Sequence, residues 1–269
     1  MRKYKAIKRS SIISGFICLG YITLCLFLDI DYHLEFIFTI LLINYLYAKL
    51  YSNNAIEESY QQLETLIPLI HDLDIKKNLP NTRDYAASPD YLSTINEIIK
   101  KNTPNLILEA GSGVSTVIAS YSLKKYGEGK IISLDHDEKY AQQTKYELKK
   151  HNLENYAEVV YAPLKKHIFP ISDLYDNYLI WYDTDTILNQ IDSVDLFIID
   201  GPPSRIKNAR FPALPIMFDK IKKGTIIILD DAKRKNEQDI IKLWKKEYDC
   251  FEYEYIENDK GLLIMKKIK

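Results

Sequence analysis

The chain has 269 residues, 36 basic and 37 acidic, which is enough for one substantial domain plus an appendage. Charge this evenly balanced excludes a global pull toward nucleic acid or acidic substrates. The three cysteines, at 18, 25 and 250, have neither CxxC nor metal-type spacing and offer no disulfide framework.

In chain order, the first nine residues, MRKYKAIKR, carry five positive charges and no negative one. Two apolar runs follow, 10–30 and 34–51. A helix needs ~20 apolar residues to cross a bilayer, so the expectation for 1–51 is a membrane anchor of two transmembrane helices. The flanking positive charges place its N-terminus in the cytoplasm. Asp29, Asp31 and Glu35 then form the outer connection, and the second run returns the chain to the cytoplasmic side. A cleaved signal peptide and a buried soluble hairpin are the rival readings. The absence of a small-residue cleavage site and the presence of a second run favour the anchor. Cys18 and Cys25 read as small packing residues within it. Residues 52–80 turn polar, with apolar positions at Ile56, Tyr60, Leu63, Leu66, Ile67 and Ile70. That is the spacing of a helical connector, interrupted at Pro68, and 76–84 reads as a linker.

From 81 to 269 the pattern changes in kind. Short β-branched runs at 105–110, 130–135, 157–162, 194–200 and 225–230 alternate with longer amphipathic ones. Nearly unbroken apolar strands separated by helical patterns predict a parallel sheet covered on both faces. Two further runs, 250–256 and 261–267, are separated only by turn residues and must be antiparallel neighbours. The expected class is α/β: a Rossmann-like, doubly wound, mostly parallel seven-stranded sheet with a terminal antiparallel hairpin.

Ligands of such sheets sit outside the carboxyl ends of the strands. The first strand ends in Glu109-Ala-Gly111-Ser112-Gly113-Val-Ser115-Thr116, a glycine turn opening a helix whose free N–H groups face a ligand. A dinucleotide fingerprint has a third glycine where Thr116 stands. Glu109 would repel a pyrophosphate but complements a cationic ligand. Asp135 ends the second strand, where a carboxylate can hold both ribose hydroxyls. His136 and Asp137 read equally as an adenine-pocket lining or as an exposed turn before a helix. Asp200 and Asp230 end strands ~4.8 Å apart, with Asp231 adjacent. Three carboxylates at one edge repel unless a cation or a proton joins them. A hard cation such as Mg²⁺ accepts an all-oxygen shell of this kind, and without metal Asp200 could serve as a general base. Trp181 and Tyr182 read either as acceptor-stacking or as core residues.

The set "AASPDYL" (86–92), "GSGVSTV", "SLDHD", "DGPPSR", "ARFPALP" and "LDDA" resembles the class I S-adenosylmethionine-dependent methyltransferases over 81–269. Within them it resembles a bacterial, membrane-anchored type associated with surface polysaccharides, with distant similarity to catechol-type O-methyltransferases. The resemblance implies S-adenosylmethionine as cofactor, held by Glu109, Gly111, Ser112, Gly113, Ser115, Asp135, His136 and Ala162. It implies Asp200 as the catalytic residue and Asp200, Asp230 and Asp231 as ligands of Mg²⁺. One departure stands out: the lysine base that such enzymes carry three residues after the first ligand is Pro203 here, and Arg205 and Lys207 are near but unmatched. The expected function is O-methylation of a small-molecule, saccharide or lipid-linked acceptor at the cytoplasmic face of the inner or plasma membrane, with no nucleic-acid partner. An NAD(P)-dependent oxidoreductase and a non-catalytic membrane scaffold are the alternatives.

Overall fold

A computed structural model describes residues 2–28, 34–82, 86–169, 178–258 and 260–269. The chain divides into two units, Met1–Glu64 and Thr65–Lys269.

The first unit holds helix α1 (Arg2–Phe27) and most of α2 (Leu34–Asp72). Ser14 hydrogen-bonds Asn44, and Tyr21 packs on Phe36 with ring centroids 4.4 Å apart, so the two helices run antiparallel. Cys18 and Cys25, two turns apart on α1, are buried. Their large apolar neighbours Phe16, Leu19, Leu26, Phe38 and Ile43 are exposed. Among the described residues no helix is long and apolar enough to cross a membrane, so the two spans expected at 10–30 and 34–51 are not found. Ser14, Gly15, Gly20 and Thr23 interrupt the apolar run of α1, and Asn44 and Lys49 that of α2. Asp29 and Asp31 lie outside the described residues, as does the Glu35 side chain. Helix α2 continues past residue 51 and takes Pro68 into its interior instead of breaking there.

The second unit is built on a seven-stranded sheet. Its strands are β1 (Leu106–Ala110), β2 (Lys130–Asp135), β3 (Ala157–Tyr161), β6 (Val194–Ile199), β7 (Ile221–Leu229), β8 (Phe251–Ile256) and β9 (Leu262–Lys267). They are ordered β3-β2-β1-β6-β7-β9-β8. The first five are parallel, and β9 is antiparallel to both β7 and β8. Helix α3 (Pro89–Asn102) precedes the sheet, starting with proline in its first turn, where the missing N–H costs nothing. Leu92, Ile95 and Ile99 of α3 make one fully buried stripe. Helices α4 (Val114–Tyr126) and α5 (Glu138–His151) connect β1 to β2 and β2 to β3.

Strand alternation sends side chains to two cores. Ile107, Ile131, Ile198 and Ile228 join α3 and α4 on one face. Phe197, Ile199, Ile227 and Leu229 join Phe211, Trp244 and Met265 on the other, which helix α8 (Lys235–Glu247) helps to cover. Burying each such aliphatic side chain contributes roughly 1.5–3 kcal/mol.

Two elements depart from the expected order. A separate antiparallel ribbon, β4 (Leu164–Ile168) with β5 (Tyr178–Tyr182), lies between β3 and β6, followed by the short helix α6 (Asp185–Gln190). The amphipathic run expected between 200 and 225 yields only α7 (Ala213–Met217) and a 3₁₀ turn, because β7 already begins at Ile221.

Candidate active site

The carboxyl ends of β1, β2, β6 and β7 bring the expected residues to one edge of the sheet. Glu109, next to last in β1, is fully buried and stands opposite Ser133 of β2 in the register. Its Oε2 accepts from the Thr116 hydroxyl at 2.6 Å and from the Ser133 hydroxyl, while Oε1 has no hydrogen-bond partner among the described residues. Burial pushes the carboxyl up to about 7, opposed by the hydroxyls of Ser115, Ser133 and Thr116. Thr116 also accepts from the Gly113 N–H at 3.1 Å, which fastens the glycine turn to the acid. A third glycine at 116 could do neither.

Gly111 has φ of 108°, a left-handed value open to glycine, and a Cβ there would stand 3.2 Å from the Gly201 nitrogen. The glycine turn therefore touches the end of β6. Ser112 donates its hydroxyl to Asp135 Oδ2 at 2.6 Å, and the Asp137 N–H donates to Asp135 Oδ1 at 3.0 Å. Asp135 thus ties two turns together and keeps lone pairs for further donors. Ser115 is buried in the first turn of α4, and the Ala162 N–H donates to the Asp135 carbonyl at 2.7 Å. His136 is half-buried, edge-on to Tyr182 with centroids 6.1 Å apart. Asp137 caps α5, accepting from the Lys139 N–H at 2.9 Å, which is the turn reading of that residue.

Asp200, Asp230 and Asp231 each offer an oxygen within 4.8 Å of the others. Asp231 adopts φ of 60°, a conformation Asp tolerates, and this swings it beside its neighbours. The sequence reading missed the cation that joins them. Arg210, nearly fully buried, donates Nη2 to Asp231 Oδ2 at 2.9 Å and to Asp200 Oδ1 at 3.3 Å, and Nη1 to the Asp230 carbonyl at 2.7 Å. Its Nε lies 3.9 Å from Glu237. Arg234 adds a second ion pair to Asp231 Oδ2 at 2.6 Å. Even so, both Asp230 oxygens and Asp231 Oδ1 are buried without hydrogen-bond partners among the described residues. Burial pushes the Asp200 carboxyl up, opposed by Arg210, and burial with the Asp200 charge pushes Asp230 well above the carboxylate range. The quoted "ARFPALP" held the signal, since one arginine is set there among apolar residues.

Trp181 and Tyr182 are core residues, packed edge to face with centroids 5.0 Å apart. The Tyr182 hydroxyl lies over Gly201, where any Cβ would collide with it. Among the described residues, Arg205 is not in the ion pairs of this edge. Cavities of about 300 and 720 Å³ lie elsewhere, at the amino edge of the sheet beside Lys222 and Thr225 and along Leu66–Thr82.

No curated protein matches the chain. Among solved structures, an SAH-bound methyltransferase from Podospora anserina superposes with a TM-score of 0.58 at 13% identity, over 81% of this chain and 96% of that one. An O-methyltransferase from Bacillus cereus in complex with SAH gives 0.53 at 17%, over 77% and 91%. The O-methyltransferase TomG from Streptomyces achromogenes in complex with SAM gives 0.53 at 11%, over 77% and 89%. At these identities the likeness is one of fold. The model of a family described as a methyltransferase domain matches residues 108–232. That match runs from inside β1 to the turn after β7, taking in the glycine turn, Asp135 and the whole acid edge, so this stretch of the chain is similar to a methyltransferase domain and the second unit shares the fold of the methyltransferases above.

Proposed function

We propose that the enzyme O-methylates a hydroxyl of a small-molecule, saccharide or lipid-linked acceptor at the cytoplasmic face of the inner or plasma membrane. One observation carries the reading: Asp200, Asp230 and Asp231 converge beside the glycine turn, so a hydroxyl and a methyl donor can meet there. The sulfonium is an activated donor, and aligning the acceptor with the S–CH₃ bond supplies most of the rate advantage. Glu109 complements the cofactor's ammonium, and Asp135 receives the ribose hydroxyls while Ser112 and Asp137 hold it in place. Asp200, only partly buried and with its carboxyl raised by burial, draws the proton from the acceptor hydroxyl. The unpartnered oxygens of Asp230 and Asp231 fit a hard divalent cation such as Mg²⁺, with Asp200 completing the set. Bound there, the ion would lower the cost of ionising the acceptor hydroxyl.

The exposed apolar side chains of α1 and α2 support the membrane location. Two experiments test the reading. Calorimetric titration of the full chain with SAH and with NAD should give binding to SAH alone. Cells with and without the gene should differ in a membrane-associated metabolite by one methyl group. Binding of NAD but not SAH, or no such difference between the cells, overturns the corresponding half of the proposal.

A further inference from the structure

The motif "AASPDYL" has no role in the site described so far, yet it delivers a polar atom to that site. Helix α3 ends at Asn102, just before β1 begins, so its last turn sits at the amino edge of the sheet. Fourteen residues rise about 21 Å, which returns its first turn to the carboxyl edge. Tyr91 lies in that first turn and is 0% exposed. It belongs to the core face that holds Ile107, Ile198 and Ile228. The period of two along a strand puts Glu109, Asp200 and Asp230 on that same face, two residues beyond each isoleucine. The charges of all three acids act on the Tyr91 phenol, opposed by that of Arg210.

The Tyr91 hydroxyl is buried and has no hydrogen-bond partner among the described residues, and the same holds for Glu109 Oε1. Leaving such a group unsatisfied is unfavourable, and two orphans on one face call for a shared partner. The partner must bring several donors and a positive charge, because Glu109 supplies the negative one. A phosphate meets neither condition and a neutral amide lacks the charge, whereas a primary ammonium meets both. Access runs past the half-buried glycine turn, Gly111 to Gly113, which touches the end of β6.

We propose that the Tyr91 hydroxyl is a binding group for the amino-acid end of S-adenosylmethionine, accepting from its α-ammonium together with Glu109 Oε1. The assignment rests on the methyltransferase reading and adds a residue from outside the strand tips. The phenol stays neutral, since burial and the neighbouring carboxylates hold it well above its ordinary value.

The test is Tyr91→Phe in the full chain, which removes one oxygen, with titration by SAH and by 5′-methylthioadenosine, a ligand that keeps the nucleoside and lacks the amino-acid end. The expected result is a weakening of SAH by roughly ten-fold or more, the range for a hydrogen bond to a charged group. Binding of 5′-methylthioadenosine should be unchanged, and the thermal midpoint of the free protein unchanged or raised. Equal weakening of both ligands, or undiminished SAH binding, overturns the assignment while leaving the methyltransferase reading intact. A variant that no longer folds also overturns it, by showing that the hydroxyl holds the structure. If the unsubstituted chain binds neither ligand, both readings fall.

Discussion

Replacing Arg210 by Met removes the cation on which the acid edge depends while nearly keeping side-chain length. Arg210 donates to the Asp230 carbonyl at 2.7 Å, to Asp231 at 2.9 Å and to the Asp200 carboxylate at 3.3 Å, and also to the Asp200 carbonyl. Its own side chain and that of Asp231 are only 3% and 4% exposed, so little solvent screening softens the loss. Breaking a buried ion pair from one side costs about 3–5 kcal/mol, because the abandoned charge stays buried. With a urea slope near 2 kcal/mol per molar, the midpoint should fall by about 2 M. Fluorescence reports this region directly, since the Trp244 indole donates to the Phe211 carbonyl next to Arg210 at 3.1 Å. The deficit should also depend on pH. Burial already raises Asp200, Asp230 and Glu237, with Arg210 opposing the rise. Without Arg210 their folded-state affinity for protons grows further, and a raised carboxyl loses stability as pH climbs. The variant should therefore sit closer to the parent at pH 5 than at pH 8. A midpoint shift under 0.5 M, or a deficit independent of pH, as judged against these order-of-magnitude costs, would refute the view that Arg210 neutralises this edge.

The Glu109 carboxyl, held up at about 7 in the free protein, must ionise to receive a cation. SAH affinity measured by calorimetry should then rise between pH 6 and 8, and Glu109→Gln should flatten the profile; the opposite slope contradicts the ammonium assignment. Thr116→Val removes the link from Gly113 to Glu109 and leaves buried groups unsatisfied. It should cost about 1–3 kcal/mol and weaken SAH, and a variant as stable as the parent in urea would argue against the link. If the acid edge binds a divalent cation, chelation with EDTA should depress turnover and Mg²⁺ should restore it. In Asp230→Asn that restoration should fail, whereas full turnover in EDTA would exclude the ion.

The parts of this fold that were legible in the sequence are those whose signal is local. The run KIISLD became β2 to the residue, because a parallel strand covered on both faces is mostly apolar, and this one is buried from Ile131 onward and bounded by a glycine and a helix cap. Asp200 and Asp230 could be paired from their positions alone, since each ends a strand and those strands neighbour one another. The ribbon was not legible. LKKHI carries too many charges to read as a strand, and it pairs with residues beyond 177, where only Leu179, Trp181 and Tyr182 are buried. Arg210 was hidden for a different reason. It reaches the acids because Asn208 takes a left-handed φ of 52° and the Phe211 N–H closes a turn on the Asn208 carbonyl at 3.0 Å. Nothing in the linear spacing of DGPPSRIKNAR announces that reversal. The helical anchor pattern was legible as helix, and the chain is helical there, but hydropathy alone does not decide what its apolar exterior meets.

Glu109, Asp200, Asp230, Asp231 and Glu237 gather five carboxyls at or just behind one edge, against the two guanidinium groups of Arg210 and Arg234 that pair with them. Burial pushes the carboxyls of Glu109, Asp200 and Asp230 up, so this edge holds protons more readily than free carboxylates do. An enzyme whose cofactor brings a sulfonium and an ammonium gains from such an edge, because each positive group that enters releases a proton and replaces it. After methyl transfer the sulfonium charge is gone, and the acids regain protons as the product leaves. Cofactor binding should therefore release protons in proportion to the charge it brings. Calorimetry in buffers of different ionisation enthalpy should show more protons released with S-adenosylmethionine than with SAH, and equal release from the two would mean that the sulfur does not face the acid edge.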